Sequence, residues 1–467
     1  MKITLLLLLF SLPICAFTQV KNETIEYSFN SKTFKEKRTI SIFLPETYNT
    51  KGSTTKFNVA YLFDGQFQPY TSMVSSIMSY YSETNEGTPL IIVGIHTENR
   101  WDEFVPICGS EKSSENEGAD KLALFLKQEV IPYIDSKYRT TNFKIGIGHS
   151  LGGTFVLNEV LKTNSLFHAV IAVSPNLTVC NEQLITNAQK YYTENPTSNR
   201  FIYTTAGTSG DMENSFRESL LKLDSVTEKM KPKNLSWKCA VLENLNHMTT
   251  FVPTFDAAYL NLSSKLTLLD EELLKMAKDT SISIVEHISK FYNQLSSFSQ
   301  EKQELDMKQL IQLSKTLTEY RAFRACKEVC QFATEKLEKE ALNVATKKEY
   351  SNIIEIRKKQ AEFHVLASEA KKMAIAGNIK NASDLYLKAF QLDFINGTHM
   401  VRIDAVPILA QAGNIEEAFT QLDLLANKFI LGGNNSFIND PLCKPLHTDK
   451  RWETLMKKLE ENGGKYR

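Results

Sequence analysis

A serine framed by small residues is the first place in this chain where chemistry is expected. Gly148, Ser150 and Gly152 form the pattern G-x-S-x-G, and a further glycine follows at position 153. In this pattern the chain turns so sharply that side chains at the glycine positions would collide with nearby backbone, while the serine hydroxyl stays exposed. The pattern predicts a nucleophile elbow with Ser150 as the attacking group. The alternative is a glycine-rich turn whose serine only caps a helix.

A serine hydroxyl is a poor nucleophile at neutral pH, so it needs a general base and a group that orients the base. Where a serine on such a turn is the nucleophile, an acid and then a histidine follow it, each after a later strand. His247 follows a predicted strand at 237–242 and is the expected base. Two carboxylates follow the predicted strand at 201–205. We expect Asp211 to orient His247, with Glu213 as the alternative; both residues could instead cap the next helix.

Two backbone N–H groups are candidates to hold the oxyanion. One belongs to Leu151, directly after the serine, and the other is expected in the loop after the third strand. The apolar run at 59–63 opens into a glycine turn, so we expect the N–H of Gln66 to be the second donor, with Gly65 as the alternative. His149 adjoins the serine, but neighbours at an elbow point apart, so it is expected to shape the pocket or pack on the sheet.

Short apolar runs alternate with helical stretches up to about residue 262. Strand candidates lie at 38–43, 59–63, 90–95, 144–147, 169–173, 201–205 and 237–242, and helix candidates include 121–134, 154–162 and 214–230. Several of these strands are continuous apolar runs, which is typical of strands covered on both faces. The pattern predicts a mostly parallel α/β sheet over residues 19–262.

The strand signals fade after residue 262, and an all-α domain is expected over 263–467. Helix candidates lie at 266–277, 307–337, 350–376 and 382–392. The segment 374–379 (AIAGNI) recurs as 410–415 (AQAGNI), an offset of 36 residues. This offset is close to the length of a tetratricopeptide unit and predicts a short helical repeat to which a protein partner could dock. The alternative is an ordinary helical bundle in which the segment recurs by chance.

The beginning of the chain reads as a signal for export. Residues 1–18 contain a positive charge at Lys2, an apolar stretch and small residues before a cleavage point after Thr18. A lipoprotein signal at Cys15 fits less well, because bulky residues precede that cysteine. We therefore expect a periplasmic or extracellular protein. No later stretch is long and apolar enough to span a bilayer.

Composition limits the partners and cofactors. Lys plus Arg and Asp plus Glu both number 54, so no charge surplus favours nucleic acid or an anionic membrane. Six cysteines follow residue 18, too few for a disulfide scaffold in 467 residues, and their pairing stays open. Cys326 and Cys330 lie four apart on a predicted helix and are expected to be buried thiols rather than a disulfide or zinc site. No metal or cofactor is expected.

Five segments, in order, resemble the bacterial esterase family of α/β-hydrolases. They are 61–65 (YLFDG), 92–95 (IVGI) continuing into 99–106 (NRWDEFVP), 148–153 (GHSLGG), 174–177 (SPNL) and 246–247 (NH). The family includes siderophore trilactone esterases, feruloyl esterases, S-formylglutathione hydrolases and mycolyltransferases. The resemblance covers about residues 25–262.

The resemblance implies an α/β-hydrolase fold and ester hydrolysis through an acyl-serine, with Ser150 and His247 in their expected roles. It makes Arg100 a candidate substrate contact, since members often have an arginine in this loop. The alternative for Arg100 is a salt bridge with Asp102 or Glu103. The implied substrate is a small ester, for example of a siderophore or a carbohydrate. Acyl transfer by the same residues, or a non-catalytic docking protein, are the alternatives.

Overall fold

The computed structural model describes residues 24–50, 54–108, 117–194 and 197–464. The expected signal at residues 1–18 lies outside these described residues. The chain divides into two compact units. The first unit comprises the chain up to Leu269 together with Leu295–Lys302, and the second comprises Asp270–Gln294 together with the chain from Gln303 onward.

The first unit is built around one eight-stranded sheet. Its strands are β1 (Ile25–Asn30), β2 (Lys37–Phe43), β3 (Phe57–Phe63), β4 (Leu90–Ile95), β5 (Thr140–His149), β6 (Ala169–Val173), β7 (Arg200–Ser209) and β8 (Leu235–Asn246). They lie in the order β1-β2-β4-β3-β5-β6-β7-β8. The β1–β2 and β2–β4 pairs are antiparallel, and the five other pairs are parallel. The prediction of a mostly parallel α/β sheet is confirmed.

Among the residues that the structure describes, eight α-helices accompany this sheet. They are α1 (Gln68–Glu83), α2 (Arg100–Phe104), α3 (Gly118–Phe125), α4 (Ile131–Lys137), α5 (Leu151–Val160), α6 (Gln183–Thr193), α7 (Asp211–Met230) and α8 (Phe251–Leu266). Every residue of β4, β6 and α5 is buried. A continuous apolar strand needs cover on both faces, and these elements therefore form the centre of the core.

The topology brings the candidate residues to one edge of the sheet. In a parallel sheet the carboxyl ends of all strands meet at the same edge, and loops there carry the functional groups. Gln66 follows β3, Ser150 follows β5, Glu213 follows β7 and His247 follows β8. Residues far apart in sequence are thus brought close together without any long connection.

A disulfide ties two segments near this edge. Cys108 follows α2 and Cys180 follows β6; their Cα atoms are 5.0 Å apart, and the two residues are 72 positions apart in sequence. The sequence left this pairing open. Cys326 and Cys330 are buried free thiols, as expected. Within the described ranges, no helix combines the length and the apolar character needed to cross a bilayer.

In the described residues of the second unit, all regular secondary structure is helical. Its helices are α9 (Asp270–Lys278), α10 (Ile284–Ser299, whose last turn is grouped with the first unit), α11 (Met307–Glu319), α12 (Phe323–Lys339), α13 (Val344–Ile375), α14 (Ile379–Phe390), α15 (His399–Gln411), α16 (Ile415–Asp423), α17 (Asn435–Ile438) and α18 (Lys450–Gly464). The expected all-α character is confirmed. The single helix expected at 307–337 is wrong in detail, because the chain turns at Arg321, whose φ is 58°.

The recurring hexapeptide marks two similar turns. Gly377 lies between α13 and α14 with φ 78°, and Gly413 lies between α15 and α16 with φ 85°. A positive φ is a conformation that glycine adopts without steric cost, and helices commonly end on such a residue. The segment is therefore a repeated helix–turn–helix junction. Its assignment to tetratricopeptide units stays a prediction.

Candidate active site

Ser150 lies at the sharp turn between β5 and α5. Its φ of 61° and ψ of −121° are values that residues with a side chain rarely adopt. A Cβ placed on Gly148 would lie 2.2 Å from the carbonyl oxygen of Gly152, so no other residue fits there. The strand, turn and helix expected from G-x-S-x-G are therefore present, with the serine in a strained conformation.

The serine opens onto a pocket of about 390 Å³. The pocket is lined by Asp64, Gln66, Phe67, Tyr70, Arg100, His149, Ser150, His247 and Met248. Although Ser150 is only 8% exposed, its place in this lining lets a small ligand reach it. The candidate nucleophile and the candidate base thus share one cavity.

His247 is paired with Glu213. Its Nδ1 lies 2.7 Å from Glu213 Oε2, and the two side chains are 13% and 1% exposed. Asp211 is instead exposed in the first turn of α7. The helix begins at Asp211, earlier than the expected position 214, and residues two apart on a helix point to different sides. The preference for Asp211 as the orienting acid is corrected in favour of its alternative, Glu213.

Three donors hold the Glu213 carboxylate. Besides the contact with His247, its Oε1 accepts hydrogen bonds from the Gly207 N–H at 2.5 Å and from Ser174 Oγ at 2.7 Å. Burial raises the pKa of Glu213, but the hydrogen bonds from His247, Gly207 and Ser174 outweigh it and hold the pKa below its usual value. Glu213 is therefore ionised at neutral pH and can only accept hydrogen bonds.

The charge on Glu213 fixes the tautomer of His247. Because the carboxylate accepts, Nδ1 of the neutral imidazole carries the proton and Nε2 carries a lone pair. The His247 ring contacts two other rings. Its centroid lies 5.3 Å from that of Phe216 and 4.4 Å from that of His149. An imidazole held in this tautomer can accept a proton at Nε2.

The loop after β3 contains both candidates for the second oxyanion donor. The Gly65 N–H donates to the Ile95 carbonyl at 2.8 Å, so this alternative oxyanion donor is occupied. In the described structure the Gln66 main-chain N–H makes no hydrogen bond, while its side chain bonds the Thr97 N–H at 3.0 Å and the Thr97 carbonyl at 3.1 Å. The Leu151 N–H opens α5, where the first N–H groups of a helix have no partner within it.

Arg100 also lines the pocket. Its Nε donates to Asp64 Oδ1 at 3.0 Å, and its Nη2 donates to the His149 carbonyl at 3.2 Å. The side chain remains 40% exposed. Burial raises the pKa of Asp64, while the Arg100 guanidinium acts in the opposite direction. Arg100 is thus oriented along the wall and still accessible to a ligand.

The carboxylates next to Arg100 have other partners. Glu103 is bound by the buried guanidinium of Arg38, with Nη1 at 3.0 Å from Oε1, and Asp102 accepts a hydrogen bond from Asn99. The alternative of an Arg100 salt bridge with Asp102 or Glu103 is therefore wrong, and Asp64 takes that place.

Sequence reasoning missed several residues that shape the site. They are Asp64, Tyr70, Ser174, Phe216 and Thr250, whose Oγ1 lies 2.8 Å from Ser174 Oγ. Ser174 lies in the SPNL segment that carried the family resemblance, and Asp64 lies in YLFDG, so both were within reach of the motif comparison. Tyr70 lies on α1 and gave no signal, because its role depends on contacts across the fold. In the described parts of the chain, no group of three or more His, Cys, Asp or Glu side chains could hold a metal ion.

The fold has known counterparts. An IroE-like serine hydrolase from Shewanella oneidensis superposes with a TM-score of 0.56 at 20% identity, covering 67% of this chain and 99% of that one. An uncharacterised protein from Capnocytophaga ochracea also gives 0.56, at 14% identity, covering 83% of this chain and 100% of that one. At such identities the likeness establishes the fold, which is that of the α/β-hydrolases.

The sequence comparison finds a family match over the first unit. Residues 31–262 match the family described as "Putative esterase". The resemblance to this family seen in the sequence is confirmed. A siderophore enterobactin esterase from Emericella nidulans is 28% identical over 180 residues, which cover 32% of this chain and 57% of the relative. The match thus spans little more than half of that relative.

Proposed function

We propose that this protein is an exported serine esterase that hydrolyses a carboxylic ester through an acyl-serine intermediate. The observation that carries the proposal is the strained Ser150 on the wall of the pocket that also contains His247, which is itself paired with Glu213. Nucleophile, base and orienting acid of this kind form the triad that recurs on unrelated folds.

The reaction has two halves. Ser150 Oγ attacks the ester carbonyl carbon and gives its proton to His247 Nε2, while the N–H groups of Leu151 and Gln66 bind the oxyanion. The tetrahedral species then expels the alcohol, which takes the proton from His247. Water next attacks the acyl-serine, with His247 again accepting a proton and then returning it to Ser150 Oγ. The products are the free acid, the alcohol and the original enzyme.

Arg100 has a binding role in this proposal. Asp64 and the His149 carbonyl hold one edge of the guanidinium, and the exposed remainder can donate to an oxygen of the substrate. The pocket also offers apolar surface through Phe67, Tyr70 and Met248. An ester with an aromatic or other apolar acyl part and nearby oxygens fits this lining.

A siderophore ester is the first substrate to test, because the matching relative is named a siderophore enterobactin esterase. Carbohydrate esters come second. Export is supported by the signal pattern at residues 1–18 and by the Cys108–Cys180 disulfide, since disulfides persist in oxidising compartments such as the periplasm and the extracellular space.

The test compares wild type with Ser150→Ala on p-nitrophenyl acetate and butyrate, followed by a siderophore trilactone and feruloylated or acetylated sugars. Ser264→Ala, an exposed serine on α8, is the matched control. We expect Ser150→Ala to lose at least about 10³-fold in kcat and the control to match wild type. Equal rates for Ser150→Ala and wild type would remove the proposal.

A further inference from the structure

His149 is the one side chain next to Ser150 whose hydrogen bonds reach another part of the site. Its Nε2 lies 2.8 Å from the main-chain carbonyl oxygen of His247, and its Nδ1 lies 2.7 Å from the Tyr70 hydroxyl. His149 and His247 are 98 positions apart in sequence, so the contact joins two separate loops.

The direction of these bonds follows from the groups involved. A carbonyl oxygen can only accept, so Nε2 of His149 carries the proton and donates it. In the neutral ring Nδ1 is then an acceptor, and the Tyr70 hydroxyl donates to it. Burial raises the pKa of Tyr70 to about 12, which keeps this hydroxyl protonated. The His247 carbonyl therefore selects the tautomer in which Nε2 of His149 donates, and the Tyr70 hydroxyl supplies the matching donor at Nδ1.

The carbonyl of His247 is held from two sides. Thr250 Oγ1, in the same turn, donates to it at 2.9 Å, and His149 donates from the elbow. A carbonyl oxygen has two lone pairs, and both are used. The bond from Thr250 shapes the turn locally, whereas the bond from His149 sets where the turn lies relative to Ser150.

We propose that His149 is a positioning residue that fixes the main chain of His247, and hence its imidazole, at a set distance from Ser150. The inference rests on the proposed esterase function. His149 does not touch the reacting atoms in this account. Its neutral form is maintained because burial, with a smaller effect of His247 and Arg100, lowers the pKa of His149 to about 4, although the bond to the His247 carbonyl and the charge of Glu213 act in the opposite direction.

Three substitutions test the role of His149. His149→Leu removes both hydrogen bonds while keeping an apolar side chain. His149→Gln keeps a donor close to the position of Nε2. His168→Leu is the matched control, because burial also lowers the pKa of His168 to about 4, and its Nδ1 accepts only a main-chain N–H away from the pocket.

The measurement is kcat and KM on p-nitrophenyl acetate together with Tm for each variant. A displacement of about 1 Å between reacting groups costs about 10²-fold, so we expect His149→Leu to lose about 10²-fold in kcat with little change in KM. His149→Gln should recover most of that loss at a similar Tm, and His168→Leu should keep the wild-type kcat.

Two results would overturn the inference: wild-type kcat in His149→Leu, or a His149→Gln variant that falls as far as the leucine variant at the same Tm. If His149→Leu does not fold, His149→Met is compared with His149→Gln, because the two side chains have similar lengths and only glutamine can donate a hydrogen bond to the His247 carbonyl. A lower kcat in His149→Met than in His149→Gln supports the inference, and equal kcat values refute it. An inactive wild type would refute the proposed function instead.

Discussion

Glu213 Oε2 lies 2.7 Å from Nδ1 of His247, although the two residues are 34 positions apart and follow different strands. Ser174 Oγ and the Gly207 N–H hold the other carboxylate oxygen in place. The carboxylate therefore has a fixed direction as well as a charge, which is what an orienting acid needs.

Replacing Glu213 should disable the base, whereas replacing Asp211 should not. Glu213→Gln removes the acceptor that sets the His247 tautomer, and loss of such an acid lowers kcat by about 10³-fold to 10⁴-fold in serine hydrolases. Asp211→Asn is the matched variant two positions away, exposed to solvent. Steady-state rates on p-nitrophenyl butyrate check this. A severe loss of kcat in Asp211→Asn with a normal kcat in Glu213→Gln would show that Asp211, and not Glu213, orients His247.

The helix itself contained the information that separates the two carboxylates. Glu213 lies on the buried side of α7, where Phe216, Leu220, Leu223 and Thr227 follow it at successive spacings of three and four residues. When the helix begins at Asp211, this spacing places Glu213 on the buried side of the helix and Asp211 on the exposed side. The predicted helix start at 214 is wrong by three residues, and the buried spacing alone identifies Glu213 once the helix begins at Asp211.

Other parts of the fold could not be obtained in this way. The edge strand β1 was missed because its residues are largely exposed and form no continuous apolar run. The partner of Arg100 was missed because Asp64 is 36 positions away and meets it only once β3 and β4 are paired. Periodicity predicts elements and their faces, whereas contacts between loops depend on the assembled sheet.

The Gln66 side chain is expected to position the second oxyanion donor. Gln66→Ala breaks both hydrogen bonds to Thr97 and frees the turn that carries the N–H. Removing an oxyanion donor costs about 10²-fold to 10³-fold in kcat, and a displaced donor should cost about 10-fold to 10²-fold. Gln189→Ala, on the exposed side of α6, is the control. Unchanged kcat in Gln66→Ala would exclude this role.

The disulfide should contribute to stability more than to chemistry. Cys108 and Cys180 enclose a loop with a sequence separation of 72 residues, and a bridge of this kind typically adds about 2–4 kcal/mol by restricting the unfolded chain. The double variant Cys108→Ser, Cys180→Ser should unfold at a lower urea concentration. Cys239→Ser, a free thiol, should not. Equal urea midpoints for the double variant and wild type would contradict the bridge.

The buried His149 and the partly buried His168 should make the protein less stable in acid. Burial lowers the pKa of His149 to about 4, with His247, Arg100 and Glu213 as the ionisable groups that face it. Burial also lowers the pKa of His168 to about 4, with Arg200 and Lys144 facing it. The unfolded chain takes up protons near pH 6.5, whereas the folded protein resists until about pH 4. Stability is therefore full above pH 6.5 and is lost as the pH falls.

The size of this effect can be measured. Each histidine should account for a decrease of about 2 kcal/mol in the free energy of unfolding between pH 7 and pH 5. His149→Gln and His168→Gln should each reduce that decrease, whatever their stability at pH 7. Urea denaturation at the two pH values gives the slope. A variant that loses as much stability as wild type over this interval would contradict the assignment for that histidine.

The central claim is that Ser150 forms the covalent intermediate, and active-site labelling tests it most directly. The protein is treated with a fluorophosphonate, and the modified residue is located by mass spectrometry of the peptides. The account predicts one label, on Ser150, with loss of ester hydrolysis in proportion to labelling and no label in Ser150→Ala. A label on another serine that abolishes hydrolysis while Ser150 stays unmodified would contradict it.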